Sequence, residues 1–206
     1  MSQSLGTILT AMVTPFAADE SVDHEKLAAL AEFLLENGSD GLVVAGTTGE
    51  SPTLSDDEKL EMFRTVVAAV GGRAPVVAGT GSNETRHSVD LTRAAEACGV
   101  DAVLVVVPYY NKPPERGLIA HFRAVAAATS LPVILYNIPG RCVVNLSPEA
   151  LAELAKVENI VAVKQANDSE LGPIEGLKVL AGNDNTFLRV LEFGGDGGIL
   201  VASHVV

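Results

Sequence analysis

Short apolar runs rich in Val, Ile and Leu recur along the chain, separated by longer stretches whose apolar residues return every three or four positions. The runs at 8–13, 41–45, 75–79, 102–107, 132–137, 160–164, 178–181 and 198–202 predict eight strands. Their near-continuous apolar content predicts strands covered on both faces, as in a parallel sheet. The segments between them read as helices. Leu27, Leu30, Ala31, Leu34 and Leu35 keep one face apolar, and Gly38 supplies the stop. Ser55 with Glu58 is a capping-box signature for a second helix, and Ser147 followed by Pro148 opens the fifth. The stretch 167–176 is short and broken by Gly172 and Pro173, which predicts a single turn or an irregular connection.

Eight strands alternating with helices give an α/β chain of the (β/α)8 TIM-barrel type. No G-x-G-x-x-G follows the first strand, which counts against an open dinucleotide-binding sheet. Little sequence follows the eighth run, so the expectation is one barrel domain, residues 1–206, truncated after the eighth strand. The eighth helix and a C-terminal helical extension would be missing, leaving the apolar outer faces of strands one and eight uncovered.

Composition narrows the function. With 48% hydrophobic and 19% charged residues the chain suits one globular domain. No apolar run approaches the roughly 18 residues of a membrane span. Residues 1–16 lack a cationic leader and are interrupted by Gly6, Thr7 and Thr10, so no secretion signal is expected and the cytoplasm is the expected compartment. A net charge of -12 argues against nucleic acid and membrane surfaces as partners. Cys98 and Cys142 form no C-x-x-C pair and read as buried thiols. His24, His87, His121 and His204 show no i, i+4 pairing, so they read as surface or packing residues and no metal is expected.

Barrel enzymes work at the C-terminal ends of their strands, and unusual polar residues stand there. Lys164 closes the sixth run. Buried, its ammonium would be disfavoured, leaving a neutral amine able to attack a carbonyl; the same position also suits a lysine that snorkels to solvent. Tyr109, Tyr110 and Tyr136 end the fourth and fifth runs, where phenols can relay protons or simply cap the barrel. Gly46-Thr47-Thr48-Gly49-Glu50-Ser51 reads as a tight turn whose hydroxyls and amides offer an anion lip, or as an ordinary strand-to-helix turn. Arg141, in Tyr136-Asn137-Ile138-Pro139-Gly140-Arg141, places a carboxylate-binding fork just beyond a tyrosine.

Together with A-G-T-G-S-N at 78–83, P-Y-Y-N at 108–111 and Val163-Lys164, these segments resemble the dihydrodipicolinate synthase/N-acetylneuraminate lyase family of class I aldolases, in order and at compatible spacing. The resemblance implies that Lys164 condenses with pyruvate to an imine and then an enamine, which attacks the aldehyde of L-aspartate 4-semialdehyde to give 4-hydroxy-tetrahydrodipicolinate. It implies a proton relay of Tyr136, Thr47 and Tyr110, with Tyr110 reaching into a neighbouring subunit. Thr48 would hold the pyruvate carboxylate, Arg141 would receive that of the semialdehyde, and Gly182 and Ile199 would line the lysine pocket. No cofactor is implied, and the assembly would be a homotetramer built as a dimer of dimers. Three departures stand out. Gln165 replaces the usual acidic residue after the lysine, Cys142 follows Arg141 where Thr is common, and the connection after Lys164 is short. Where lysine-inhibited members shape an allosteric pocket this sequence has Asp56, Lys59 and His87, which implies weak feedback inhibition. Three alternatives remain: a related aldolase acting on a keto-deoxy sugar acid or neuraminate, a metal-dependent aldolase, and an inactive keto-acid binder.

Overall fold

The structure is a computed structural model describing residues 5–205. The predicted strands form as β1 (Ile8–Ala11), β2 (Gly41–Val44), β3 (Val76–Gly79), β4 (Ala102–Val106), β5 (Val133–Asn137), β6 (Ile160–Gln165), β7 (Lys178–Ala181) and β8 (Gly197–Leu200). They pair in parallel in sequence order, and β8 returns to β1 through Leu9 opposite Ile199, closing the barrel. Alternation along each strand sorts the apolar residues into two cores. Leu9, Val43, Val77, Leu104, Ile134, Ala162, Leu180 and Ile199, one from each strand, fill the lumen. Leu42, Val76, Val103, Val133, Val163 and Val179 face outward and pack beneath the helices, against Leu27, Phe63, Phe122 and Leu151. Both faces of the sheet are therefore dry, which is why the strands read as unbroken apolar runs.

The helices are α1 (His24–Glu36), α2 (Asp56–Val70), α3 (Thr85–Glu96), α4 (Glu115–Ala126), α5 (Pro139–Cys142), α6 (Pro148–Leu154) and α7 (Phe187–Glu192). Asp23 caps α1, and Gly38 just beyond it adopts a left-handed φ of 103°. Ser55 and Glu58 bond each other's backbone amides at the head of α2. Ser147 accepts from the Ala150 amide at the head of the next element. That element is the sixth helix and not the fifth, because the four residues after β5 form a helical turn of their own. Four residues carry no apolar period, so α5 left no signal in the pattern. The segment after β6 holds one 3-10 turn, Asp168–Glu170, as expected.

The seam between β8 and β1 departs from expectation. Its outward positions are Ile8, Thr10, Gly198 and Leu200, of which Ile8 stays half-buried, and the turn Ala202–His204 folds back over β1. Thr10 Oγ1 lies 2.5 Å from Ser39 Oγ and 2.8 Å from Ser203 Oγ. His204 Nε2 accepts from the Val13 amide at 3.2 Å. Thr10 and Leu200 are consequently buried. A hydroxyl cluster covers part of the face that was read as bare and apolar.

Candidate active site

Strands β5 and β6 bring the two central side chains together. Tyr136 and Lys164 are register partners, so both point into the lumen from adjacent strands. The Lys164 side chain is only 5% exposed, and its Nζ lies 4.3 Å from the centroid of the Tyr136 ring. Burial pulls its pKa from 10.5 down to about 8; the Asp184 carboxylate opposes this and the Arg141 charge adds to it. Near pH 7.5 about a quarter of such an amine is uncharged, against about a thousandth at the ordinary lysine value. Burial pushes the Tyr136 phenol upward, while a hydrogen bond with Thr47 and the positive charge of Arg141 pull the other way. The phenol stays protonated at neutral pH and can give or take a proton through its bond to Thr47.

A cavity of about 480 Å³ opens at the strand ends. Thr47, Tyr109, Tyr136, Ile138, Arg141 and Cys142 line it, as do Asp56, Lys59 and His87. Lys164 does not line it. Tyr136 is common to both, lining the chamber and carrying the amine over its ring. The turn after β2 is tighter than an open anion lip. The amides of Gly49 and Ser51 both donate to Gly46 O, and that of Glu50 to Thr47 O, so three of its donors are spent inside it. Thr47 is exposed and Thr48 half-buried beside it. The backbone of this turn passes so near β3 that a Cβ on Gly79 would sit 2.2 Å from Ala45 O.

Gly182 and Ile199 come from the two strands that follow β6, just past the end of β7 and within β8. Gly182 follows β7 and donates to Gln165 O at 2.8 Å; a Cβ there would lie 2.7 Å from Ala166 Cβ. Ile199 is fully buried in the lumen. Tyr110 is not brought in: it is 87% exposed, with φ of 72°, and stays outside the chamber of its own chain. Two features escaped the sequence reading. Asp184, after β7, acts on Lys164 while its Oδ1 accepts the amides of Val201 and Ala202; an acid past a strand end was its only signal. Behind Tyr136 and Lys164, on the outer face of the same strands, Asn137 and Gln165 are buried and hydrogen-bonded to each other. Among the described residues no three His, Cys, Asp or Glu side chains converge as a metal site would require.

A family model, the Dihydrodipicolinate synthetase family, matches residues 4–206. The 4-hydroxy-tetrahydrodipicolinate synthase of Bacillus velezensis is 51% identical over 98% of this chain and 73% of its own. That of Desulforudis audaxviator is 53% identical over 100% of this chain and 72% of its own. Among solved structures, dihydrodipicolinate synthase DapA-2 of Bacillus anthracis superimposes with a TM-score of 0.93 at 45% identity, covering 98% of this chain and 72% of that one. The lysine-bound enzyme of Cyanidioschyzon merolae gives 0.92 at 44% identity, over 97% and 71%.

Proposed function

The chain belongs to the dihydrodipicolinate synthetase family, and on that premise we propose that it is a class I aldolase of lysine biosynthesis, condensing pyruvate with L-aspartate 4-semialdehyde to 4-hydroxy-tetrahydrodipicolinate. The observation that carries this reading is the buried, partly neutral amine of Lys164 against the Tyr136 ring. Its lone pair adds to the ketone carbon of pyruvate, and loss of water leaves the protonated imine. That cation draws electrons from the methyl group, which gives up a proton to become the enamine carbon. The enamine attacks the aldehyde, whose oxygen takes a proton from the pair Tyr136 and Thr47, and the adduct's own amino group then displaces Lys164 Nζ at the imine carbon, closing the ring and freeing the lysine. Thr48 is assigned to the pyruvate carboxylate and Arg141 to that of the semialdehyde, since a guanidinium fork matches a carboxylate. Gly182 and Ile199 shape the space around the amine.

Tyr110, turned away from its own cavity, is assigned to the site of a second copy, within a dimer of dimers. The compartment is assigned to the cytoplasm; no helix among the described residues is long and apolar enough to cross a membrane.

Borohydride reduction in the presence of pyruvate tests the central step. A peptide containing Lys164 should gain the mass of a reduced pyruvate adduct, and Lys164→Met should gain none. An unlabelled Lys164 after reduction would refute the mechanism.

A further inference from the structure

Directly behind the Tyr136–Lys164 pair, the next register pair, Asn137 and Gln165, turns its side chains to the outer face of the barrel. Both are buried and carry no charge. Asn137 Nδ2 donates to Gln165 Oε1 at 3.0 Å and to Asn145 Oδ1 at 2.8 Å, while Asn137 Oδ1 accepts from the Leu146 amide at 3.1 Å. The segment that leaves β5 at Asn137 is thus fastened, nine residues later, to the side chain from which it departed. Asn145 carries the chain of bonds outward, accepting from Asn167 Nδ2 at 3.1 Å and donating to the Glu170 carboxylate at 2.9 Å. Gln165 Oε1 also accepts from the Asn167 amide. Two connections, the one after β5 and the one after β6, are held by a single carboxamide cluster.

Within the fastened loop lie Arg141 and, two residues on, Val143. Val143 is 64% exposed and adopts φ of 65°, a left-handed conformation that a β-branched residue resists. Val143 is the left-handed C-cap of α5, its amide donating to Pro139 O at 2.9 Å, and the side-chain bonds that close the loop around that turn are those of Asn137. Resting on the proposed aldolase reading, we infer that Asn137 is a positioning residue: it closes the 138–146 loop, and so fixes the guanidinium of Arg141 at the distance the second substrate's carboxylate requires. Asn145 is its relay to the neighbouring connection. Lys164 and Tyr136 are held by the strand ladder itself, so loss of the clamp acts on the aldehyde and spares pyruvate.

Asn137→Ala and Asn145→Ala decide the point, with two readouts. Trypsin cleavage after Arg141 depends on the loop alone; it should quicken in Asn137→Ala, and less so in Asn145→Ala. In steady-state assays KM for the semialdehyde should rise about tenfold in Asn137→Ala, while kcat, KM for pyruvate and borohydride-trapped adduct on Lys164 stay within about threefold. Should the buried Asn137→Ala fail to fold, Asn145→Ala, in the loop itself, carries the same two tests. Unchanged cleavage with an unchanged aldehyde KM overturns the inference and leaves the aldolase reading standing, as does a joint rise of both KM values. Failure of the unaltered chain to form the adduct is instead the failure of that reading, and the cleavage rates still report on the clamp.

Discussion

The amine of Lys164 is kept reactive at a cost to folding. Its pKa falls from 10.5 to about 8 in the folded chain, so the unfolded chain holds the proton more tightly. The penalty is complete below pH 8 and is recovered as pH rises from about 8 towards 10.5. Lys164→Met should therefore abolish activity yet raise stability at pH 7 by up to about 3 kcal/mol, read from denaturant midpoints; a destabilised variant would contradict the burial argument. The adduct-forming rate should climb through pH 8 and then level. His121 has the same sign in another window. It is 3% exposed, its Nε2 has no hydrogen-bond partner among the described residues, and burial lowers its pKa from 6.5 to about 4. Stability linked to it is full above pH 6.5 and drains away as pH falls towards 4, by up to roughly 3 kcal/mol. His121→Leu should shift the acid-unfolding midpoint downward. At this scale the placement was legible: a lysine ending one apolar strand and a tyrosine ending its neighbour meet inside the barrel. The bond between Asn137 and Gln165 was not, because the two lie 28 residues apart and an amide in a strand has no periodic signature.

Secondary elements were readable wherever a local rule punctuates them. Strands showed as apolar runs, and α1, α2 and α6 showed through Gly38, Ser55 with Glu58, and Ser147 with Pro148. The short α5 was silent, since its helical turn is decided by its i→i−4 bonds from Cys142 and Val143 to Ile138 and Pro139. The capping box of α2 gives a direct test: Ser55→Ala should cost about 1 kcal/mol without altering the pyruvate KM. The same helix presents Lys59, 7% exposed, at 3.5 Å from Asp56, whose carboxylate also meets His87 Nε2 at 2.8 Å. Burial pushes Asp56 upward, but the hydrogen bond and charge of His87 and the charge of Lys59 prevail and hold it low. A chamber already furnished with its own ammonium repels another, so L-lysine should leave turnover unchanged below about 1 mM, weaker than roughly −4 kcal/mol. Inhibition at micromolar lysine would contradict this reading of Lys59 in the cavity wall.

For the molecule as a whole, the count and order of strands were legible, and the treatment of the seam was not. The turn Ala202–His204 carries polar groups whose partners, Thr10 and Val13, sit about 190 residues away, and nothing local in the sequence advertises such a meeting. That meeting sets a timetable for synthesis. A ribosome makes β1 first and β8 last, so throughout translation the first strand waits with an unsatisfied edge, as does whichever strand was made latest. Open edges invite pairing with foreign strands. A nascent chain stalled before Gly197 should therefore bind a holdase chaperone and aggregate when released, while one stalled with β8 outside the exit tunnel should do neither. Equal chaperone occupancy at the two stall points would show that closure does not wait for the last strand.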